Sequence, residues 1–278
     1  SKHPTIAINK MALFDLSEER YEDIKRTYLD LSKELDLKSD LHMIPLSALD
    51  GDNVVNKSEK TPWYKGDTLL HTLEDIEIFS DRDLINFRMP VQYVNRPNLD
   101  FRGFCGTIAS GVINVGDAIT VLPSGKSSFV KEIVTYDENL RCAFAQQAVT
   151  LTLEDEIDIS RGNVIVKKAQ EPAQASDLDV NIVWMDEAPL IKGREYFIKR
   201  ATTQVTGSIE KFYYKTDVNT LEQKSMEQLE LNEIAFAKLS LNESIAFDAY
   251  NDIKTMGSFI IIDRITNNTV GAGMIIGK

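Results

Sequence analysis

Little in this chain of 278 residues could hold a metal or a disulfide framework. There are two cysteines, Cys105 and Cys142, and three scattered histidines, His3, His42 and His71, none at ligand spacing. No metal site is expected from them. Long apolar runs are missing too. Phe259-Ile260-Ile261-Ile262 is typical of the longest, far below the roughly 20 residues that span a bilayer as a helix. Positive charge is scarce: 31 Lys and Arg face 43 Asp and Glu, for a net charge of -12. Such a chain repels phosphate backbones unless a basic face is segregated, so nucleic acid is a poor partner. The N-terminus has no charged-then-apolar signal pattern. The expectation is a reducing, cytoplasmic protein with neither nucleic acid nor membrane among its partners.

What is present reads as globular, with 43% hydrophobic and 27% charged residues and room for two or three domains. Residues 5–9 predict a buried strand. "LSEERYEDIKRTYLDLSKELDL" predicts an amphipathic helix capped at Ser17, with Glu18, Glu19 and Glu22 near its positive end. "HMIPLSAL" predicts a second strand and "GDTLLHTLEDI" a second helix. That order suggests parallel pairing, although two parallel strands need further cover to be stable. After about residue 80 come short β-branched runs separated by Gly, Pro, Asn or Asp, the pattern of β-barrels. Residues 169–177, "AQEPAQASD", read as a polar linker, and a second β-rich stretch runs to the end. The expected fold is multidomain: a partial α/β domain at 1–80, then all-β barrels at 81–170 and 171–278.

The first strand runs into Asn9-Lys10-Met11-Ala12. In guanine-binding domains such a strand ends in Asn-Lys-x-Asp. The Asn holds two loops together, the Lys stem covers the base, and the Asp accepts from two ring donors. A second loop of the type Ser47-Ala48-Leu49, one helix and one strand later, supplies a backbone N–H for the guanine carbonyl oxygen. Asn9, Lys10, Ser47, Ala48 and Leu49 are therefore the candidate site, a guanine-site remnant in which Ala12 replaces the expected Asp. Removing such a pairing can lower preference by roughly 10⁴-fold. No phosphate loop of the form G-x-x-x-x-G-K-[ST] accompanies them. "PSGKSS" comes nearest, but Thr120 stands where the first Gly is needed and β-type runs flank it, so a hairpin turn is predicted.

These pieces together resemble the latter half of a translation-factor-type GTPase. "MPVQYVNRPNLDFRGFCGTIASG", "DEIDISRGNVIV" and "FIIIDRITNNTVGAGMI", with "PLSALDGDNVV" and "PWYKGDTLL", narrow the resemblance. They are similar to the large, GTP-binding subunit of bacterial sulfate adenylyltransferase (ATP sulfurylase), C-terminal portion only. The resemblance implies a heterodimer with a small catalytic subunit that makes adenylyl sulfate and pyrophosphate from ATP and sulfate. It implies GTP and Mg as cofactors of the complete family member, whose GTP hydrolysis drives that step. Here most of the GTPase domain is expected to be missing from the front, with no catalytic residue for hydrolysis and no nucleotide held. An elongation-factor-like fragment that binds RNA is the alternative, and the net charge argues against it. A third reading is a full GTPase whose front half lies outside this sequence.

Several features admit a structural and a functional reading. Arg96, Asp100 and Arg102 fit a salt-bridged barrel corner or an interdomain contact that senses nucleotide state. Gly103, Gly106, Gly111 and Gly116 fit turns and bulges needing positive φ. Glu156 and Asp158 alternate with Ile157 and Ile159 as on a half-exposed strand, with Arg161 a partner for one of the acids. Asp263, Arg264, Asn267 and Asn268 fit a closing hairpin or a partner surface. Phe212, Tyr213 and Tyr214 beside Lys211 and Lys215 fit a strand with buried and exposed rings.

Overall fold

A computed structural model describes residues 4–34, 41–76, 83–98, 100–217 and 220–278. The chain divides into two compact units, Ser1–Arg82 and Asp83–Lys278.

In the first unit the strands Thr5–Ile8 and His42–Pro45 pair in parallel, Thr5 opposite His42 and Ile8 opposite Pro45. The helix Glu18–Glu34 makes the crossover between them. It starts where expected, with Ser17 Oγ accepting from Arg20 N at 3.3 Å, which satisfies one of the amides a helix start leaves free. Tyr21 and the half-buried Ile24 and Tyr28 turn one face onto Ile8, Met11, Leu16 and Met43. The Tyr21 hydroxyl donates to Met43 O at 3.0 Å, tying helix to strand. Trp63 closes the cluster, its ring 5.2 Å from Tyr21 and its Nε1 donating to Leu16 O at 3.2 Å. A second helix, Leu69–Asp75, begins at Thr68, whose side chain accepts from His71 N. The chain between residues 77 and 82 lies outside the described residues.

The second unit holds two large antiparallel sheets, each curled on itself, beside two small two-stranded ones. In the first the strand order runs Arg88–Pro90, Val164–Lys167, Ala118–Leu122, Lys126–Val134, Ala148–Leu153, Gly103–Thr107, Tyr93–Asn95. Its two end strands are consecutive in sequence, joined only by Val91 and Gln92. The chain thus steps from one end of the sheet to the other, which curls it into a barrel. "PSGKSS" is a hairpin turn, with Gly125 at φ 71 and its N–H donating to Val121 O at 2.8 Å. The second sheet closes fully. Glu195–Arg200, Ser258–Ile262, Thr269–Gly277, Ala173–Trp184, Ile234–Phe247 and Thr203–Thr216 form a ring, because the first and last also pair. Alternation drives this. Along Ala173–Trp184, Leu178, Val180, Ile182 and Trp184 point into the core while Asp177, Asp179, Asn181 and Val183 alternate with them. Each fully buried side chain of this size contributes roughly 1.5–3 kcal/mol of burial.

Four sequence expectations need correction. The linker read at 169–177 is shorter, because Ala173, Gln174 and Ala175 pair with Phe247, Ala246 and Ile245 in the long strand. Glu156 to Ile159 are not a strand: Ile159 is buried and Ile157 packs against the same core, but the backbone there joins no ladder. Arg161 does not pair with those acids. It donates to Gln92 O at 2.7 Å, and Asp158 is met by Arg102 at 3.2 Å. The glycines also divide. Gly111 (φ +78) and Gly116 (φ +85) use the left-handed region, whereas Gly106 is required by a close approach, since a Cβ there would lie 2.6 Å from Pro90 O.

The barrels share a seam. Leu122, Val164 and Val166 of the first pack with Ala246, Ile253 and Met256 of the second. Arg88, only 3% exposed, grips Asp248 with two hydrogen bonds, Nε to Oδ2 at 2.8 Å and Nη2 to Oδ1 at 2.9 Å.

Candidate functional site

The first strand ends at Ile8, and the chain turns sharply because Lys10 takes the left-handed conformation (φ 63). A single 3₁₀ turn, Met11–Phe14, follows, anchored by the buried Met11. The backbone stays stitched to the second strand, with Leu46 N donating to Ile8 O at 2.9 Å and Met11 N to Leu46 O at 3.3 Å. Asn9 is the clasp. Its Oδ1 accepts from Lys10 N at 2.7 Å and from Ala48 N at 3.1 Å, so one side chain joins the two loops.

The second loop is braced from within. Ser47 is buried, and its hydroxyl donates to Asp50 Oδ2 at 2.9 Å while accepting from Asp50 N at 3.2 Å. Asn53, 1% exposed, donates to Pro45 O and Thr61 Oγ1, each at 2.9 Å, and accepts from Ser58 N at 2.8 Å. Asp52 accepts from Ser58 Oγ at 2.7 Å and Lys60 Nζ at 3.0 Å. The Ser58 hydroxyl, then the Lys60 ammonium, hold its carboxyl below the usual carboxylate range. Sequence reasoning missed Asp52 and Asn53; the "DGDN" cluster between strand and helix was the signal available.

All five candidate residues therefore sit on two adjoining loops at one end of the parallel pair. What the loops present is not a complete guanine reader. Ala12 is exposed and has no side-chain acceptor. The Ala48 amide, the group expected to meet a guanine carbonyl oxygen, is engaged by Asn9. Leu49 (94% exposed) and Leu13 (76% exposed) instead put apolar surface on the same loops. The residues present fit the framework of a guanine site but not its selective contact.

Elsewhere the closing hairpin and the strand form as read, although Phe212, Tyr213 and Tyr214 are all half-buried rather than divided between buried and exposed. Ser258–Ile262 and Thr269–Gly277 form the closing hairpin, Asn267 takes φ 59, and Asp263 accepts from Ile265 N and Thr266 N, each at 2.9 Å. Tyr213 lies in the strand Thr203–Thr216, stacked on Phe236 at 4.9 Å with Lys211 over its other side at 5.0 Å. Among the described residues no helix is long and apolar enough to cross a membrane.

A parallel strand pair followed by two curled antiparallel sheets defines the class: a translation-factor-like fold with barrel domains. The crystal structure of sup35 complexed with GMPPNP shares this fold, with a TM-score of 0.65 over 99% of this chain and 69% of that one, at 22% identity. Residues 177–276 match the family described as GTP-eEF1A C-terminal domain-like. The particular likeness is to sulfate adenylyltransferase subunit 1. The chain is 67% identical over 277 residues to that protein of Aliarcobacter butzleri, and 54% identical over 275 residues to that of Pseudoalteromonas atlantica. It spans 59% and 58% of their lengths. The resemblance read from the motifs thus runs along the whole chain, which is similar throughout to part of sulfate adenylyltransferase subunit 1.

Proposed function

We propose that this chain is a non-hydrolysing, regulatory portion of the GTP-binding subunit of a sulfate adenylyltransferase. Residues 1–80 are the end of a GTPase domain, and 81–170 and 171–278 are barrels that serve as docking and coupling surfaces. Its partner is the small catalytic subunit, which converts ATP and sulfate to adenylyl sulfate and pyrophosphate in the cytoplasm. GTP and Mg belong to the complete family member. In this chain Asn9 orients the two loops, and Lys10, Ser47, Ala48 and Leu49 shape them, without a residue that reads guanine.

The observation that carries the reading is the 67% identity over 277 residues, which spans both loops and both barrels. The word "subunit" in the relatives' name supports a partner chain. Ala12 and the engaged Ala48 amide support the loss of guanine reading. Calorimetric titration of GDP into the chain tests this. No saturable heat is expected into the high-micromolar range; a dissociation constant in the low-micromolar range or tighter would overturn it.

A further inference from the structure

At the barrel seam lies a cavity of about 200 Å³ lined by both sheets. The first barrel contributes Arg161 and Asn163; the second contributes Arg200, Thr202 and Ser244. Arg200 is 2% exposed, one of the most buried large side chains in the protein. A buried guanidinium normally carries a carboxylate on its fork. This one does not. Its Nη1 points at Met256 Sδ at 3.1 Å, and its Nη2 reaches Thr203 Oγ1 at 3.4 Å. Its Nε has no protein acceptor, and neither does the buried hydroxyl of Thr202. Asp248 is the acid whose field reaches Arg200, but Arg88 already holds both its oxygens.

The surroundings do not remove the excess. Arg88 takes up both oxygens of Asp248, and among the described residues no carboxylate makes an ion pair with Arg200. Burial pulls the guanidinium down to about 10, with Asp248 only partly opposing. Arg161 adds a second cation to the lining, its Nη1 held by Gln92 O. Glu243 is the one carboxylate there, on an exposed residue. Thr203 Oγ1, which accepts from Arg200, donates to Gly162 O at 2.7 Å, so the cation is fixed to both barrels.

We propose that this seam cavity is a binding site for a small tetrahedral oxyanion of the sulfate or phosphate class, held by the Arg200 guanidinium and the Thr202 hydroxyl. The volume suits a free ion rather than a nucleotide. Arg200 and Thr202 both line the cavity, and each carries a donor without a protein acceptor, which suits the oxygens of such an ion. Because residues of both barrels line the cavity, a bound ion would stabilise their joint arrangement through mass action. The site uses only residues of the Asp83–Lys278 unit and none of the guanine loops.

The test is calorimetric titration of sulfate and of inorganic phosphate into the full chain at constant ionic strength held with chloride. Thermal unfolding is followed in parallel. Saturable binding is expected, and the tighter of the two ions identifies the source. Affinity should fall by about ten-fold or more in Arg200→Gln, as loss of a charge-assisted contact requires, and by a smaller factor in Thr202→Val. Should Arg200→Gln fail to fold, Thr202→Val and the wild-type titration decide. Both ions also raise stability non-specifically by exclusion from protein surface. A linear, unsaturating rise shared by wild type and variants would therefore overturn the proposal and leave a hydrated cavity.

Discussion

Asn9 and Arg200 mark the two ends of what single residues disclose. Asn9 was legible because its partners are set by a short motif. Lys10 N is the next residue, and the Ser47-Ala48-Leu49 loop has its own signature. Arg88 and Arg200 were not. Asp248 lies 160 positions from Arg88, and nothing local in either sequence announces the pair. Tyr21 falls between: periodicity placed it on the buried helix face, but only packing revealed its bond to Met43 O. That packing has a pH consequence. Burial, with the nearby Tyr64 and Glu22 adding to it, raises the Tyr21 phenol from 10.0 to about 12. The folded value lies above the unfolded one, so the stability it gives is whole below pH 10 and is lost as pH rises toward 12. Denaturant melts followed by Trp63 fluorescence between pH 9 and 11.5 should show this loss in wild type. Tyr21→Phe should flatten the difference, at the expense of about 1 kcal/mol for the hydrogen bond.

At the scale of elements, helices and strands with a clear period were readable, and boundaries set by pairing were not. The helix Glu18–Glu34 and the strand Ala173–Trp184 carry their burial pattern in their own residues. The misread pieces lacked that link. Ile157 and Ile159 alternate like a strand, yet no neighbour pairs with them. "AQASD" reads like a linker, yet its first residues are held by Ile245 to Phe247. Polar composition near a boundary cannot say whether a neighbour will take up the backbone groups. The contact between barrels belongs to this scale as well. Arg88 and Asp248 form a buried pair whose remaining donors go to Phe87 O and Gln170 O. Removing one charge strands the other, so Asp248→Ala should destabilise the Asp83–Lys278 unit by about 3–5 kcal/mol in urea melts. Replacing both by apolar residues of similar size should recover most of that loss.

At the scale of the whole molecule, composition and motif gave complementary information. The acidic balance of -12 argued against RNA while the barrel pattern alone did not separate elongation factors from other members of the superfamily. Only the long motifs in the barrels did so, and they are the stretches whose residues form the sheet edges, seams and closing hairpin. The guanine loops keep their framework while lacking the group that makes them selective. On the proposed function the chain acts through its surfaces. Sedimentation velocity of the chain mixed with the small catalytic subunit of sulfate adenylyltransferase measures that directly. The account predicts a one-to-one complex that forms without added nucleotide. Two independently sedimenting species at every salt concentration tried would contradict it.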